Sequence, residues 1–153
     1  MKHTLVFHLI GLSKKFQRAI GLKSPSLPLS YSQTAALLVI DSLPKASQIE
    51  IARRLHLQPA SVVTLIDELE KLMLVERQTI PGNRRTYQIC LLDSGKSLIT
   101  KIKKQSQNVE NIVKKQLSPQ EFTTLKSIVA KLSHGLDHAE LDKNKNKGKG
   151  GEK

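Results

Sequence analysis

The sequence predicts a mainly α-helical chain with one small β hairpin, an α+β fold, and three observations carry that prediction. Apolar residues recur at helical spacing in several long stretches. Ser-x-x-Glu boxes and a well-placed proline mark helix starts. Two segments that alternate apolar and polar residues flank a Pro-Gly-Asn turn. A chain of 153 residues has room for one compact core, or for a small domain plus helices that need a partner, but not for two independent cores.

The elements follow in order. Leu5, Leu9, Leu12, Phe16 and Ile20, widened by Val6 and Ile10, make one face of a first helix that breaks at "GLKSPSLPLS". No nearby segment offers that face a partner. A second helix runs from Ser32 to Leu43 with Ala35, Leu38, Val39 and Leu43 as its apolar face, and Pro44 stops it. Ser47 opens a third helix: its hydroxyl and the Glu50 carboxylate each satisfy an amide that the helix start leaves unpaired. Ile51, Ala52 and Leu55 are its buried side. Pro59 starts the fourth, "PASVVTLIDELEKLML", which buries Val62, Leu65, Ile66, Leu69 and Leu72.

Val75 to Ile80 and Thr86 to Leu91 alternate as strands, joined by the turn "PGNRR". A long helix from Ser94 to about Leu117 carries the stripe Leu98, Ile102, Val109, Ile112 and Val113. Ser118 and Glu121 form a second capping box, and Phe122, Leu125, Ile128, Val129 and Leu132 mark the last helix. From Asp142 on, "DKNKNKGKGGEK" has no apolar residue, so a disordered basic tail is expected there.

Composition limits the function. Lys and Arg number 25 against 13 Asp and Glu, a formal charge of +12, which suits a protein that meets a polyanion. One cysteine, Cys90, excludes an internal disulfide framework and points to a reducing cytoplasm. The opening "MKHTLVFHLIGLSKKF" imitates a signal peptide, but His8 interrupts the apolar run, Lys14 and Lys15 follow it, and no small-residue cleavage site appears. No apolar run approaches the roughly 18 residues of a membrane span, so no membrane partner is expected.

His134 and His138, four apart with Asp137 and Glu140 close by, have the spacing of a metal pair, but two exposed histidines at a fraying helix end explain them better. With no Ser-His-Asp set, paired carboxylates or glycine-rich phosphate loop, neither catalysis nor a cofactor or metal is expected.

The helix opened by Pro59 presents Ala60, Ser61, Val63 and Thr64 away from its apolar stripe. These are small side chains without charge, fit for close approach to base edges. Three helices and a hairpin over residues 32 to 91 make a winged helix-turn-helix, whose last helix enters a major groove while the hairpin reaches the backbone or a minor groove. Double-stranded DNA is therefore the expected partner.

The segment Ser47 to Lys96 resembles the MarR family of bacterial transcriptional regulators without a gap. The motifs are Glu50-Ile51-Ala52-x-x-Leu55, Pro59 at the start of the recognition helix, Leu69-Glu70-Lys71, Leu74-Val75-Glu76-Arg77, and Arg85 in the wing. "LSPQEFTTLKSIVAKL" extends the likeness to about Leu136. The resemblance implies a homodimer of a transcriptional repressor on a pseudo-palindromic operator, with the first helix and the last two intertwined with those of a second copy. It also implies relief by a small anionic or phenolic ligand. The chain then divides into a dimerisation helix (1–28), a winged helix-turn-helix (29–92), C-terminal dimerisation helices (93–138) and the tail (139–153). On this reading Ala60, Ser61, Val63 and Thr64 read bases, Asn83, Arg84 and Arg85 form the wing contact, and Ser47, Arg53, Arg54 and Arg77 hold phosphates.

Three departures carry expectations of their own. Met73 stands where the family commonly has Gly, so a differently shaped helix end is expected. Thr64 replaces a frequent Arg and removes a guanine contact. Asn83 replaces an Asp that would brace Arg85, which predicts a looser wing with more non-specific affinity. The competing reading is a basic nucleic-acid coating protein, or a winged-helix adaptor without operator specificity. A role for Cys90 as an oxidant sensor has little support, since no His or helix N-terminus is adjacent in sequence.

Overall fold

The computed structural model describes the backbone of residues 4–80 and 82–148, and side chains there except those of residues 83–85 and 138–148. Among these residues six helices and one two-stranded sheet occur in the order α1 (Leu5–Ile20), α2 (Tyr31–Ser42), α3 (Gln48–Leu55), α4 (Pro59–Lys71), β1 (Val75–Ile80), β2 (Asn83–Leu91), α5 (Asp93–Gln116) and α6 (Pro119–Gly148). The mainly α fold with a small hairpin is as expected. Two compact units divide the chain, Met1–Val109 and Glu110–Lys153.

The first unit holds the core. Leu27 and Leu29 from the α1–α2 connection, Leu37 and Ile40 of α2, Ile51 of α3, Val62, Ile66 and Leu69 of α4, Ile89 of β2 and Ile102 of α5 are all buried together. Two capping boxes start α2 and α3. At Ser47 the amide donates to Glu50 Oε2 at 2.7 Å and the Glu50 amide donates to Ser47 Oγ at 3.3 Å. At Ser30 the same exchange runs with Gln33, at 2.8 and 3.2 Å.

That second box corrects the reading of α2. The helix starts before Ser32 and buries Thr34, Ala36, Leu37 and Ile40, while Ala35, Leu38 and Val39 are half-buried and Leu43 is exposed. The stretch from Ala35 to Ile40 is apolar on all sides, so its spacing could not select a face. In α4, too, Leu72 is exposed rather than buried, because the helix has ended before it.

The hairpin is antiparallel and pairs Val75 with Leu91, Arg77 with Ile89 and Thr79 with Tyr87. Beyond Thr79 the register shifts, so that Ile80 faces Asn83. Strand β2 thus begins at Asn83, and the arginines taken as part of a turn belong to its irregular first stretch. Gly82, at φ 80°, supplies the left-handed bend that precedes it. A short extra pairing, absent from the sequence reading, joins Ser47 to Gln88, with the Ile89 amide donating to the Ala46 carbonyl at 2.9 Å.

Gly95 in the first turn of α5 is buried, and a Cβ there would run into the Leu74 carbonyl oxygen. Only glycine lets α5 approach the end of the α4–β1 connection this closely. The second unit is different in kind. Phe122 is half-buried beneath the ammonium groups of Lys114 and Lys126, at 5.1 and 5.9 Å from its ring centre. Leu125, Ile128, Val129, Leu132 and Leu136 along α6 are exposed.

The expected disordered tail is corrected in part, since α6 continues to Gly148 and residues 149–153 lie outside the described set. "HAELDKNKNK" lacks apolar residues after Leu141 but has no proline or glycine before Gly148. Loss of a buried face does not by itself end a helix that meets no proline or glycine. No helix among the described residues is long and apolar enough to cross a membrane.

Candidate nucleic-acid interface

The interface is built on the turn between α3 and α4. Helix α3 closes with His56 in the left-handed region, φ 54°, where the Leu57 amide donates to the Ala52 carbonyl at 3.0 Å and the His56 amide to Arg53 at 3.3 Å. This cap turns the chain sharply enough for Pro59 to begin α4 after only two more residues, Leu57 and Gln58. Gln58 makes no side-chain cap, so no protein side chain covers the first turn of α4 from that position.

Helix α4 sorts its side chains as anticipated. Val62, Leu65, Ile66 and Leu69 are buried, while Ala60, Ser61, Val63 and Thr64 are exposed and lie together near the N-terminal end. Thr64 Oγ1 donates to the Ala60 carbonyl at 3.4 Å, while the residue as a whole stays exposed. The charged residues of the helix begin only at Asp67. Arg53 and Arg54, in the last turn of α3, are both exposed.

Two of the four anticipated phosphate contacts prove to be engaged within the protein. Arg77, only 20 % exposed, places Nη2 2.7 Å from Asp67 Oδ1 and Nη1 against Glu70 Oε2, and its amide donates to Glu70 Oε1 at 2.9 Å. Two carboxylates around one guanidinium leave no positive charge for a phosphate. Arg77 instead fastens β1 to α4 and so sets the wing against the recognition helix.

Ser47 is half-buried, and its hydroxyl donates to Glu50 Oε2 at 2.8 Å while accepting the Glu50 amide. The Ser47 amide and hydroxyl, both donating to Glu50 Oε2, hold the Glu50 carboxyl below its ordinary range, with the Arg53 charge adding to them. Ser47 therefore shapes the start of α3 rather than standing free.

Sequence reasoning missed the acidic side of this brace. Asp67 and Glu70 are three apart, hence on one face of α4, and that spacing was the available signal. It also missed Gln33, whose Nε2 donates to Glu68 Oε2 at 2.8 Å and ties the start of α2 to α4. The wing side chains Asn83, Arg84 and Arg85 lie outside the described residues, although their backbone is strand. His134 is exposed and the His138 side chain is outside the described set. Among the described residues no three His, Cys, Asp or Glu gather as metal ligands do.

Residues 29–87, which hold this whole arrangement, match the model of the MarR family. Over those residues the chain is similar to the MarR family.

Solved structures extend the likeness beyond the matched segment. The transcriptional repressor CouR, bound to a 23-mer DNA duplex, is 25 % identical, covering 85 % of this chain and 92 % of that one with a TM-score of 0.74. The S. aureus MepR–DNA complex is 20 % identical over 88 % of this chain and 99 % of that one, TM-score 0.76. A MarR protein from Peptoclostridium difficile is 17 % identical over 93 % of each chain, TM-score 0.79. The chain thus has the winged-helix fold of these structures.

Within the segment similar to the MarR family, the departure at Met73 did not reshape the end of α4. Met73 adopts φ 56°, its amide donates to the Glu70 carbonyl at 2.8 Å, and the Leu74 amide donates to Leu69 at 3.0 Å. This is the left-handed cap a glycine would form. Ser94 Oγ donates to the Met73 carbonyl and helps hold it.

Proposed function

We propose that the protein is a sequence-specific double-stranded DNA-binding regulator that acts as a repressor, binding a pseudo-palindromic operator as a homodimer. One observation carries this reading above the rest: the exposed, uncharged end of α4, formed by Ala60, Ser61, Val63 and Thr64 and anchored from behind by a buried apolar stripe. A surface meant only for phosphates gains from cations there, whereas small neutral groups let a helix approach base edges in the major groove.

Each part then has a task. Ser61 and Thr64 meet base edges by hydroxyl, and Val63 meets a thymine methyl. Arg53 and Arg54 neutralise phosphates beside the groove, and the uncovered first turn of α4 offers its amides to another. Arg84 and Arg85 enter the flanking minor groove, favouring narrow A·T tracts. Arg77 is a positioning residue that keeps wing and recognition helix at one angle. The unburied apolar faces of α1 and α6 support a second copy as partner, since small domains commonly bury such faces by oligomerising. Placement in the cytoplasm and relief by a small anionic or phenolic effector belong to the same reading.

A competition gel shift at physiological salt tests it. A regulator prefers DNA from its own promoter over bulk DNA by roughly 10³-fold or more. Binding indifferent to sequence would instead establish a coating protein.

A further inference from the structure

In the major groove guanine is recognised by Arg or Lys, which donate to its O6 and N7, and cytosine by Asp or Glu, which accept from its amino group. The outer end of α4 carries neither kind of side chain, since no charged residue precedes Asp67. The carboxylates that follow are committed within the protein, Asp67 and Glu70 to Arg77 and Glu68 to Gln33. The first cation of the helix is Lys71, in its last turn. Arg53 and Arg54 belong to α3, the helix that crosses the backbone in a helix-turn-helix.

What remains suits A·T pairs. Ala60 is exposed, and Val63, 43 % exposed, is the one large apolar side chain of α4 left outside the core. Apolar side chains read one feature of a base edge, the C5-methyl group of thymine. Thr64 gives its hydroxyl proton to the Ala60 carbonyl and has no donor left for guanine. The Ser61 hydroxyl suits any base and selects none.

Gln58 completes the set. It takes the cap position of α4, held extended at φ −65° and ψ 142° ahead of Pro59. Helices α2, α3 and α6 start on serines whose hydroxyls accept an amide, Ser30, Ser47 and Ser118. Gln58 is exposed, makes no side-chain cap and, among the described residues, no side-chain hydrogen bond at all. Glutamine is not among the residues that cap a helix well, but it is a bidentate reader of adenine N6 and N7. A local rule broken beside an interface is where function is to be sought.

We propose that α4 reads a block of A·T pairs in the major groove, Gln58 holding an adenine by N6 and N7 while Ala60 and Val63 pack on thymine C5-methyl groups. This rests on the reading of the protein as a DNA-binding regulator and adds the base class to it.

Selection of bound duplexes from a random library by the full chain, at physiological salt, supplies the site to be tested. Its half-sites should hold A·T pairs at their cores. In competition gel shifts, deoxyuridine in place of thymine removes only the methyl group and should weaken binding about fourfold per contacted base. Replacing adenine by 7-deazaadenine removes N7 and should cost about tenfold at one position in each half-site. Both analogues alter only the major-groove edge, so the wing's preference for A·T tracts does not enter. Gln58→Ser restores a good cap and should raise the melting temperature. It should no longer respond to 7-deazaadenine, yet still respond to deoxyuridine.

Guanine or cytosine enriched at the half-site core would overturn the base class and leave the regulator reading standing. An equal loss on 7-deazaadenine for wild type and Gln58→Ser would remove Gln58 from the proposal, and full affinity for the deoxyuridine duplex would remove the methyl contacts. Either result overturns the inference. Enrichment of no sequence at all would overturn the regulator reading itself, and the base class with it.

Discussion

Helices α4 and α1 are both amphipathic, yet α4 buries every large apolar side chain it has except Val63, while α1 buries none. The difference lies in where the complementary surface comes from. For α4 it is supplied within the chain, by α2, α3 and the hairpin. For α1, among the described residues, Leu5, Val6 and Phe7 stay 70, 61 and 65 % exposed. Helix α6 repeats the case of α1 with its own row of exposed leucines, isoleucine and valine. An apolar stripe in the sequence therefore announces burial without naming the partner, and only the fold separates a helix covered within its own unit from helices whose apolar faces stay exposed.

The sharpest way to break this contrast is to cut into each face. Ile66→Ala, in the α4 core, should destabilise the fold by ~2–5 kcal/mol, read as a lower urea midpoint at any protein concentration. Leu9→Glu in α1 should instead turn a dimer into a monomer in sedimentation equilibrium, and remove the concentration dependence of the wild-type melting temperature. If Leu9→Glu lowers stability at all concentrations equally, α1 belongs to the chain's own core and the contrast fails.

Arg77→Ala should come next in size. Loss of a charge-assisted brace costs ~1.5–3 kcal/mol of stability, and DNA affinity should fall with the salt dependence of binding unchanged. Arg53→Ala should behave in the opposite way, with little loss of stability and a salt slope reduced by about one phosphate contact. Equal slopes for wild type and Arg53→Ala would remove Arg53 from the interface.

Smaller effects refine the same picture. Met73→Gly should stabilise the protein by ~1 kcal/mol, because glycine adopts the left-handed cap without strain. Glu50 tests the α3 cap by pH. Its folded carboxyl titrates below its ordinary range, so the cap's contribution is complete above the unfolded value and is lost as pH falls through the folded one. Glu50→Gln should flatten that acidic limb of the stability curve, and an unaltered limb would mean that other carboxylates govern it.

Much of this was legible because caps and periods are local. The Ser47–Glu50 and Ser118–Glu121 boxes, Pro59 and the two faces of α4 all follow from residues within one or two turns of each other. What escaped was set by neighbours distant in sequence. The face of α2 is chosen by its packing, since Ala35 to Ile40 is apolar all round. Arg77 looked like a free cation because nothing in a strand's sequence tells which helix lies beneath it. Gly95 looked incidental until the Leu74 carbonyl was seen to fill the place of its Cβ.

A hydroxyl-radical footprint on the DNA upstream of the protein's own gene tests the central claim most directly, that paired α4 helices read the DNA. The prediction is two protected patches related by two-fold symmetry, with centres one helical turn, ~34 Å, apart. Both should weaken together in a Ser61→Glu, Thr64→Glu double variant that remains folded. A single asymmetric patch, or protection untouched by the double variant, would contradict the account.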